Sequence, residues 1–138
     1  MNASGKAGPD VSRTLNSPES IASYFMEDMR HLSHEELMLV MFTTKIRLLH
    51  SLTVTVGTHN ASLASPRDIF LIALQNRAAS LVVLHNHPSG DPTLSREDIS
   101  LNARLFDAGK LLQVPLLDHI IIGDRRYISL RERGLMPE

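Results

Sequence analysis

The stretch LVVLHNHPSGDPTLSRED, residues 81–98, decides how this sequence is interpreted. Four apolar residues run into two histidines, a loop rich in proline and glycine follows, and Ser95 and Asp98 then open an acidic segment. The apolar run predicts a short strand that is buried on both faces. Because alternate residues of a strand point to the same face, the rings of His85 and His87 can reach one point. Two imidazoles and one carboxylate match the three protein ligands of a catalytic zinc site.

The same residues also allow a purely structural interpretation. A His-x-His pair occurs by chance, and Ser95 and Asp98 have the spacing of a helix capping box, where an acidic residue suits the positive end of the helix. Spacing alone leaves the two interpretations equally open. A further histidine, His119, precedes three isoleucines and is interpreted as a core residue in preference to a residue that supports the ligands.

Composition limits the class of protein. The chain has 138 residues, of which 43% are hydrophobic, enough for one domain with a substantial core. It contains no cysteine, so any metal must be held by histidines and carboxylates. The lack of cysteine and of an apolar signal segment predicts a cytoplasmic protein, and no apolar run is long enough to cross a bilayer. A net charge of −1 gives no electrostatic support for binding DNA.

The distribution of apolar residues, caps and turns predicts eight elements in the order α, β, β, α, β, α, β, β. Residues 1–16 lack periodicity and are expected to form a flexible tail, with residues 17–138 forming one domain. Alternating strands and helices favour an α/β fold with a mixed sheet flanked by helices. The strand at 48–57 is a candidate sheet edge, which would allow a homo-oligomer.

The helices are predicted from their caps and their periodicity. A serine followed by a proline is typical of a helix start, and this pair occurs at Ser17 and again at Ser65. A third helix is predicted over residues 95–112. Its spacing places four side chains on the inward face: Ile99, Ala103, Leu105 and Phe106.

The candidate ligands also carry a resemblance to a known family. His85, His87, Ser95 and Asp98, with ten residues between the second histidine and the aspartate, resemble the JAMM (MPN-plus) signature of zinc metalloproteases. More narrowly, the chain resembles the RadC family over about residues 18–136. Two further stretches are similar to segments of that family: GTHNASLASPRDIFLIAL (57–74) and LLDHIIIGDRRYISLRERGL (116–135).

The resemblance implies a fold and a set of roles. The fold would be the MPN/JAMM domain, an α-β-α architecture like that of cytidine deaminases. His85, His87 and Asp98 would hold Zn²⁺, and Ser95 would donate a hydrogen bond to an oxyanion or cap the helix. Asn86 and Asp91 would hold the ligands in position without binding the metal themselves.

The resemblance also requires an upstream glutamate as the general base. Glu36 is chosen, because it opens ELMLVMF (36–42) in phase with Met38, Val40 and Phe42. Glu35 is the alternative, since a slip of one residue exchanges the two.

Three features depart from the family pattern. Thr43–Thr44 replace the usual Leu-Asp after the first strand, and Leu94 replaces a proline in the loop. The family often carries an N-terminal helix-hairpin-helix region that binds DNA, and this chain is expected to lack it.

These observations favour a JAMM-type zinc hydrolase that cleaves an amide or isopeptide bond in a peptide or protein, without a membrane partner. The alternatives are a RadC-type DNA repair or recombination factor and a non-catalytic MPN interaction module. A two-histidine, one-carboxylate iron oxygenase shares the ligand set, but the strand–loop–helix context favours the hydrolase. A zinc nucleoside deaminase is excluded by the lack of cysteine.

Overall fold

The five strands found in residues 15–57 and 65–137, the ranges that the structure describes, form one mixed sheet. The structure is a computed structural model. In chain order the elements are α1 Pro18–Met29, β1 Glu35–Phe42, β2 Leu48–Gly57, α2 Pro66–Gln75, β3 Ser80–Asn86, α3 Arg96–Leu112, β4 Leu116–Ile122 and β5 Tyr127–Ser129. The sheet order is β2-β1-β3-β4-β5, in which β3 and β4 are parallel and the other neighbours antiparallel. The predicted α/β class and order of elements are confirmed.

Apolar side chains cover both faces of the sheet. On the α2/α3 face, Leu37, Leu39 and Met41 of β1 pack with alternate residues of β3 and with both helices. On the α1 face, the intervening residues of β1 pack against α1. The central strands are therefore buried on both sides, which is why their sequences are nearly continuous apolar runs. Helices lie on both faces, as the predicted α-β-α layering requires.

The N-terminal tail predicted from the sequence falls largely outside the described residues. The expected tail covers residues 1–16, of which 1–14 are not described. Leu15 is buried and packs in the cluster on the α1 face. Within the described ranges, no helix is both long and apolar enough to span a membrane.

Serine caps begin all three helices. The Ser17 Oγ accepts a hydrogen bond from the Ser20 N–H at 3.1 Å, and the Ser65 Oγ accepts one from the Asp68 N–H at 3.1 Å. Each cap satisfies an N–H that the first turn of a helix leaves unpaired, and proline follows each of these two serines because it needs no such partner. Ser95 caps α3 in the same way.

The inward face of α3 differs from the prediction. Leu105 is buried and Phe106 partly buried, but Ile99 is 47% exposed and Ala103 is also exposed. The buried stripe runs instead through five residues: Asp98, Leu101, Asn102, Leu105 and Gly109. The expectation for Ile99 and Ala103 was wrong because two polar residues occupy the inner face where the periodicity assigned apolar ones.

Gly109 lets α3 pack closely against the chain that follows it. A Cβ at this position would lie 2.6 Å from the Val114 carbonyl oxygen and 3.2 Å from the Leu116 nitrogen. Gly109→Ala is therefore expected to lower the free energy of unfolding by about 1–3 kcal/mol, since the clash outweighs the better helix propensity of alanine. Urea unfolding would measure this, with Ser100→Ala on the exposed face of the same helix as the control. Wild-type stability in Gly109→Ala would contradict the close contact.

Candidate metal centre

The pairing of β1 with β3 determines which side chains meet at the end of the sheet. His85 is paired with Leu37 of the antiparallel strand β1. Paired residues share a face, so His85 and Leu37 both point toward α3, and so does Glu35, two residues before Leu37. The His85 side chain is 5% exposed, and its Nε2 lies 3.6 Å from Oε2 of Glu35.

The first turn of α3 places Asp98 beside His85. The Ser95 Oγ accepts from the Asp98 N–H at 3.1 Å, and the Asp98 Oδ2 accepts from the Ser95 N–H at 2.8 Å, which completes a capping box. This box fixes the Asp98 side chain at the start of the helix, where the helix dipole also favours a negative charge. The side chain is only 2% exposed.

The loop after β3 holds His87 in one orientation. The His87 N–H donates to the Ile122 carbonyl at 2.9 Å, which continues the pairing of β3 with β4. Its ring Nδ1 lies 3.0 Å from the carbonyl oxygen of Asp91. A carbonyl can only accept, so Nδ1 carries a proton, and Nε2 of the neutral ring is left with its lone pair free for a metal.

Two glycines make the turn of this loop feasible. Gly90 has φ +89°, a conformation that other residues rarely adopt, and its carbonyl accepts from the Asp124 N–H at 2.8 Å. A Cβ on Gly123 would lie 2.4 Å from the same carbonyl oxygen and 2.7 Å from Cδ of Pro92. The loop that carries His87 therefore rests directly on the turn between β4 and β5.

The Asp98 carboxylate faces both histidines. Its Oδ1 lies 3.0 Å from Nδ1 of His85, in poor alignment for a hydrogen bond, and its Oδ2 lies 3.2 Å from Nε2 of His87. Burial alone would raise the pKa of Asp98, but the two imidazoles and the Ser95 N–H lower that pKa far below its ordinary value. The group is therefore a carboxylate whenever the protein is folded near neutral pH.

The charge on His87 depends on the same contact. The adjacent Asp98 carboxylate raises the pKa of His87, against the opposing effect of partial burial, with further support from the Asp91 carbonyl. In the metal-free protein this contact favours a second proton on the ring, at Nε2, and so a positive charge beside the carboxylate. A metal ion would supply the same charge and displace that proton.

The two adjacent glutamates lie on opposite faces of β1. Glu36 follows the phase of Met38 and lies on the α1 face, with its Oε2 2.9 Å from Nε2 of His34. Glu35 lies on the face of His85, and its side chain is 20% exposed. The structure thus brings Glu35 to the candidate ligands and places Glu36 away from them.

Asn86 fastens the two strands on the side away from the ligands. Its Oδ1 accepts from the Glu36 N–H at 2.6 Å, and its Nδ2 donates to the His34 carbonyl at 2.9 Å. These two bonds hold the start of β1 against the end of β3. They fix the position of Glu35 relative to His85 without contacting either side chain.

A third imidazole lies next to His85 on the neighbouring strand β4. His119 is fully buried on β4, and its ring centroid is 6.5 Å from that of His85. Burial lowers the pKa of His119 to about 4, with a further contribution from His85, so the ring is neutral. One candidate ligand atom from each of His85, Asp98 and His119 lies within 4.8 Å of the other two, so this group could hold a metal ion.

Unpaired polar atoms gather at the same point. Among the buried side-chain atoms of the described ranges, those without a hydrogen-bond partner include both ring nitrogens of His85, both of His119 and Oε2 of Glu35. Buried polar groups are nearly always paired, so these atoms are available to bind a metal ion or water. Two or more nitrogen donors beside a carboxylate are the donor set that zinc prefers, so the residues present fit this metal.

Comparison with known proteins identifies the family of the chain. Residues 15–135 match the family described as the RadC-like JAB domain. The chain belongs to this family. It is 50% identical over 123 residues to a UPF0758 protein of Halalkalibacterium halodurans, an alignment that covers 89% of this chain and 53% of that protein. It is 47% identical over 128 residues to a UPF0758 protein of Desulfitobacterium hafniense, covering 93% of this chain and 56% of the relative.

The chain spans about half the length of the curated relatives it matches. A third relative, a UPF0758 protein of a Geobacillus species, is 48% identical over 120 residues, which cover 87% of this chain and 53% of that relative. The predicted resemblance to the RadC family is confirmed.

The departures from the RadC-like pattern lie away from the candidate ligands or leave them in place. Thr43 follows β1 at the end opposite Glu35, and its Oγ1 accepts from the N–H groups of Lys45 and Arg47 at 3.2 and 3.3 Å. The hydroxyl thus stabilises the turn into β2. Leu94 is partly buried before Ser95, whose cap is intact.

Asp91 supports the RadC-like loop in a way that the sequence did not specify. Its carbonyl oxygen, rather than its carboxylate, contacts the His87 ring. The carboxylate accepts from the Thr93 N–H at 3.0 Å and from the Thr93 hydroxyl at 2.7 Å, which stiffens the loop.

Proposed function

We propose that this RadC-like JAB domain is a zinc-dependent hydrolase that cleaves an amide or isopeptide bond. The observation that carries the proposal is the buried Asp98 carboxylate, which has an imidazole nitrogen 3.0 Å from one oxygen and 3.2 Å from the other. His85, His87 and Asp98 would hold the ion. When bound at three protein ligands, Zn²⁺ activates water for attack and polarises a carbonyl group.

Glu35 is proposed as the general base in place of Glu36. Its Oε2 has no hydrogen-bond partner and lies 3.6 Å from His85. It can take a proton from the attacking water and return that proton to the leaving nitrogen, so that water and amide give acid and amine. Its partial exposure keeps it within reach of a substrate entering from solvent.

Ser95 is proposed to serve the oxyanion while it caps α3. A hydroxyl has one donor and two acceptor positions. The Ser95 Oγ uses an acceptor position for the Asp98 N–H, so its own proton stays available for an oxygen that gains negative charge. The two roles that the sequence left as alternatives are thus compatible.

Zinc binding is the first expected result. Protein purified without chelators should contain about one zinc per chain, measured by mass spectrometry of the metal, and a chelator should remove it. Zinc at 100 times its Kd should then raise the free energy of unfolding by about 2.7 kcal/mol. Failure of the metal-free protein to bind added zinc would contradict the proposal.

Cleavage is tested separately from binding. The zinc-loaded protein would be incubated with peptides joined by ordinary amide bonds and by lysine isopeptide bonds, and new termini sought by mass spectrometry. Zinc binding without cleavage of any of these peptides would favour the non-catalytic MPN module. The DNA-associated alternative stays a prediction, to which the net charge of −1 lends no electrostatic support.

A further inference from the structure

His119 points at the candidate ligands from within the sheet. It is paired with Val83 of the parallel strand β3, two residues before His85. Paired residues share a face, and so do residues two apart, so His119 and His85 lie on the same side of the sheet. Their ring planes are inclined by 32°.

The His119 ring lacks the partners that a core histidine normally has. Its side chain is 0% exposed, and neither ring nitrogen makes a hydrogen bond to a described residue. A neutral imidazole has one donor and one acceptor, and a buried ring normally satisfies both. The interpretation of His119 as an ordinary core residue therefore leaves two polar atoms unexplained.

The candidate ligand atoms lie close enough together for one metal ion to draw them in. One ligand atom from each of His85, Asp98 and His119 lies within 4.8 Å of the other two. Ligand atoms around a tetrahedral zinc at about 2.0–2.1 Å are roughly 3.3 Å apart. Neutral imidazole is the form that binds metal.

We propose that His119 binds the metal ion together with His85 and Asp98. The inference rests on the metal centre of the proposed function and adds a ligand to it. The three residues come from β3, α3 and β4, and all are buried, whereas His87 is 14% exposed and lies on the loop.

The additional ligand changes what the centre can do. Four protein ligands make a closed zinc site, and three leave a position for water or substrate. If His119 binds the ion, three protein ligands would remain after His87 withdraws: His85, Asp98 and His119. His87 would then be the ligand whose release opens the site.

Imidazole nitrogen NMR of the wild-type protein tests this directly. Long-range ¹H–¹⁵N spectra of the ¹⁵N-labelled, metal-free protein would be recorded while Zn²⁺ is added to one equivalent. One ring nitrogen of His119 should move to the metal-bound chemical shift at the same zinc concentration as one of His85. If His85 and His87 respond and His119 does not, the inference is wrong and the metal centre stands. If no imidazole responds, the proposed function fails as well.

A variant pair provides a second readout. His119→Gln should weaken zinc binding by at least about 10-fold, because even residues that only support a ligand contribute about 10- to 100-fold to metal affinity. His31→Gln is the control, since the His31 side chain is 59% exposed and lies outside the ligand cluster. Zinc Kd would be measured by competition with a chromophoric chelator, after thermal unfolding has verified that each metal-free variant is folded. Equal Kd values in His119→Gln and wild type would overturn the inference.

Discussion

Glu35→Gln is expected to lower turnover by about 10²- to 10⁴-fold, the range that general acid–base catalysis contributes. Glutamine keeps the size of the side chain but cannot take a proton from water. Zinc affinity should stay close to wild type, because Glu35 is outside the proposed ligand set. The measurement is kcat/KM on an amide substrate identified with the wild-type protein.

Glu36→Gln is the matched control for this change. The two glutamates are adjacent, are both partly buried and differ in the face of β1 that they occupy. Glu36→Gln can still hydrogen-bond His34 and should leave turnover nearly unchanged. A large loss of rate in Glu36→Gln with little loss in Glu35→Gln would reverse the assignment of the base.

Asp98→Ala is expected to weaken zinc binding by more than about 100-fold, since residues that merely support a ligand already contribute about 10- to 100-fold. The same change removes half of the capping box, which should lower the free energy of unfolding of the metal-free protein by about 1–2 kcal/mol. Isothermal titration with zinc and urea unfolding would measure the two effects.

Asp98→Asn separates the ligand from the cap. An asparagine oxygen can still accept from the Ser95 N–H, so the helix start should be better retained than in Asp98→Ala while zinc binding is lost. Asp107→Ala, on the exposed part of α3, should change stability by no more than about 0.5 kcal/mol. Wild-type zinc affinity in Asp98→Asn would show that this carboxylate is not a ligand.

The fold could be predicted because its signals are local. Ser17 and Ser65 precede prolines at helix starts, and a capping serine acts only on the turn that follows it. The His-x-His pair at the end of β3 likewise depends on the alternation of a single strand. The positions of these elements therefore followed from neighbouring residues alone.

The choice between the two glutamates depended on a contact distant in sequence. Strand β1 is apolar on both faces, so its sequence carries no alternation that reveals which face is which. The phase of Met38, Val40 and Phe42 leads to the α1 face. Only the pairing of Leu37 with His85, 48 residues later, shows that Glu35 lies on the same face of the sheet as the candidate ligands.

The inner face of α3 was misjudged for a related reason. Apolar periodicity predicts that the buried stripe of a helix consists of apolar residues. It therefore favours Ile99 and Ala103 over Asp98 and Asn102. A helix that supplies a residue to a buried site must turn that residue inward. Had Asp98 been fixed as inward first, the helical repeat would have predicted Asn102 and Leu105 on the same stripe.

The capping box of α3 would give the proposed metal centre a kinetic property. One oxygen of Asp98, Oδ2, both holds the Ser95 N–H and faces His87. Fraying of a helix end breaks its first hydrogen bonds, and here it would carry a ligand out of the site. Each opening of the first turn of α3 would then remove one ligand from a bound ion, so the residence time of the ion would shorten as the helix end frays more often.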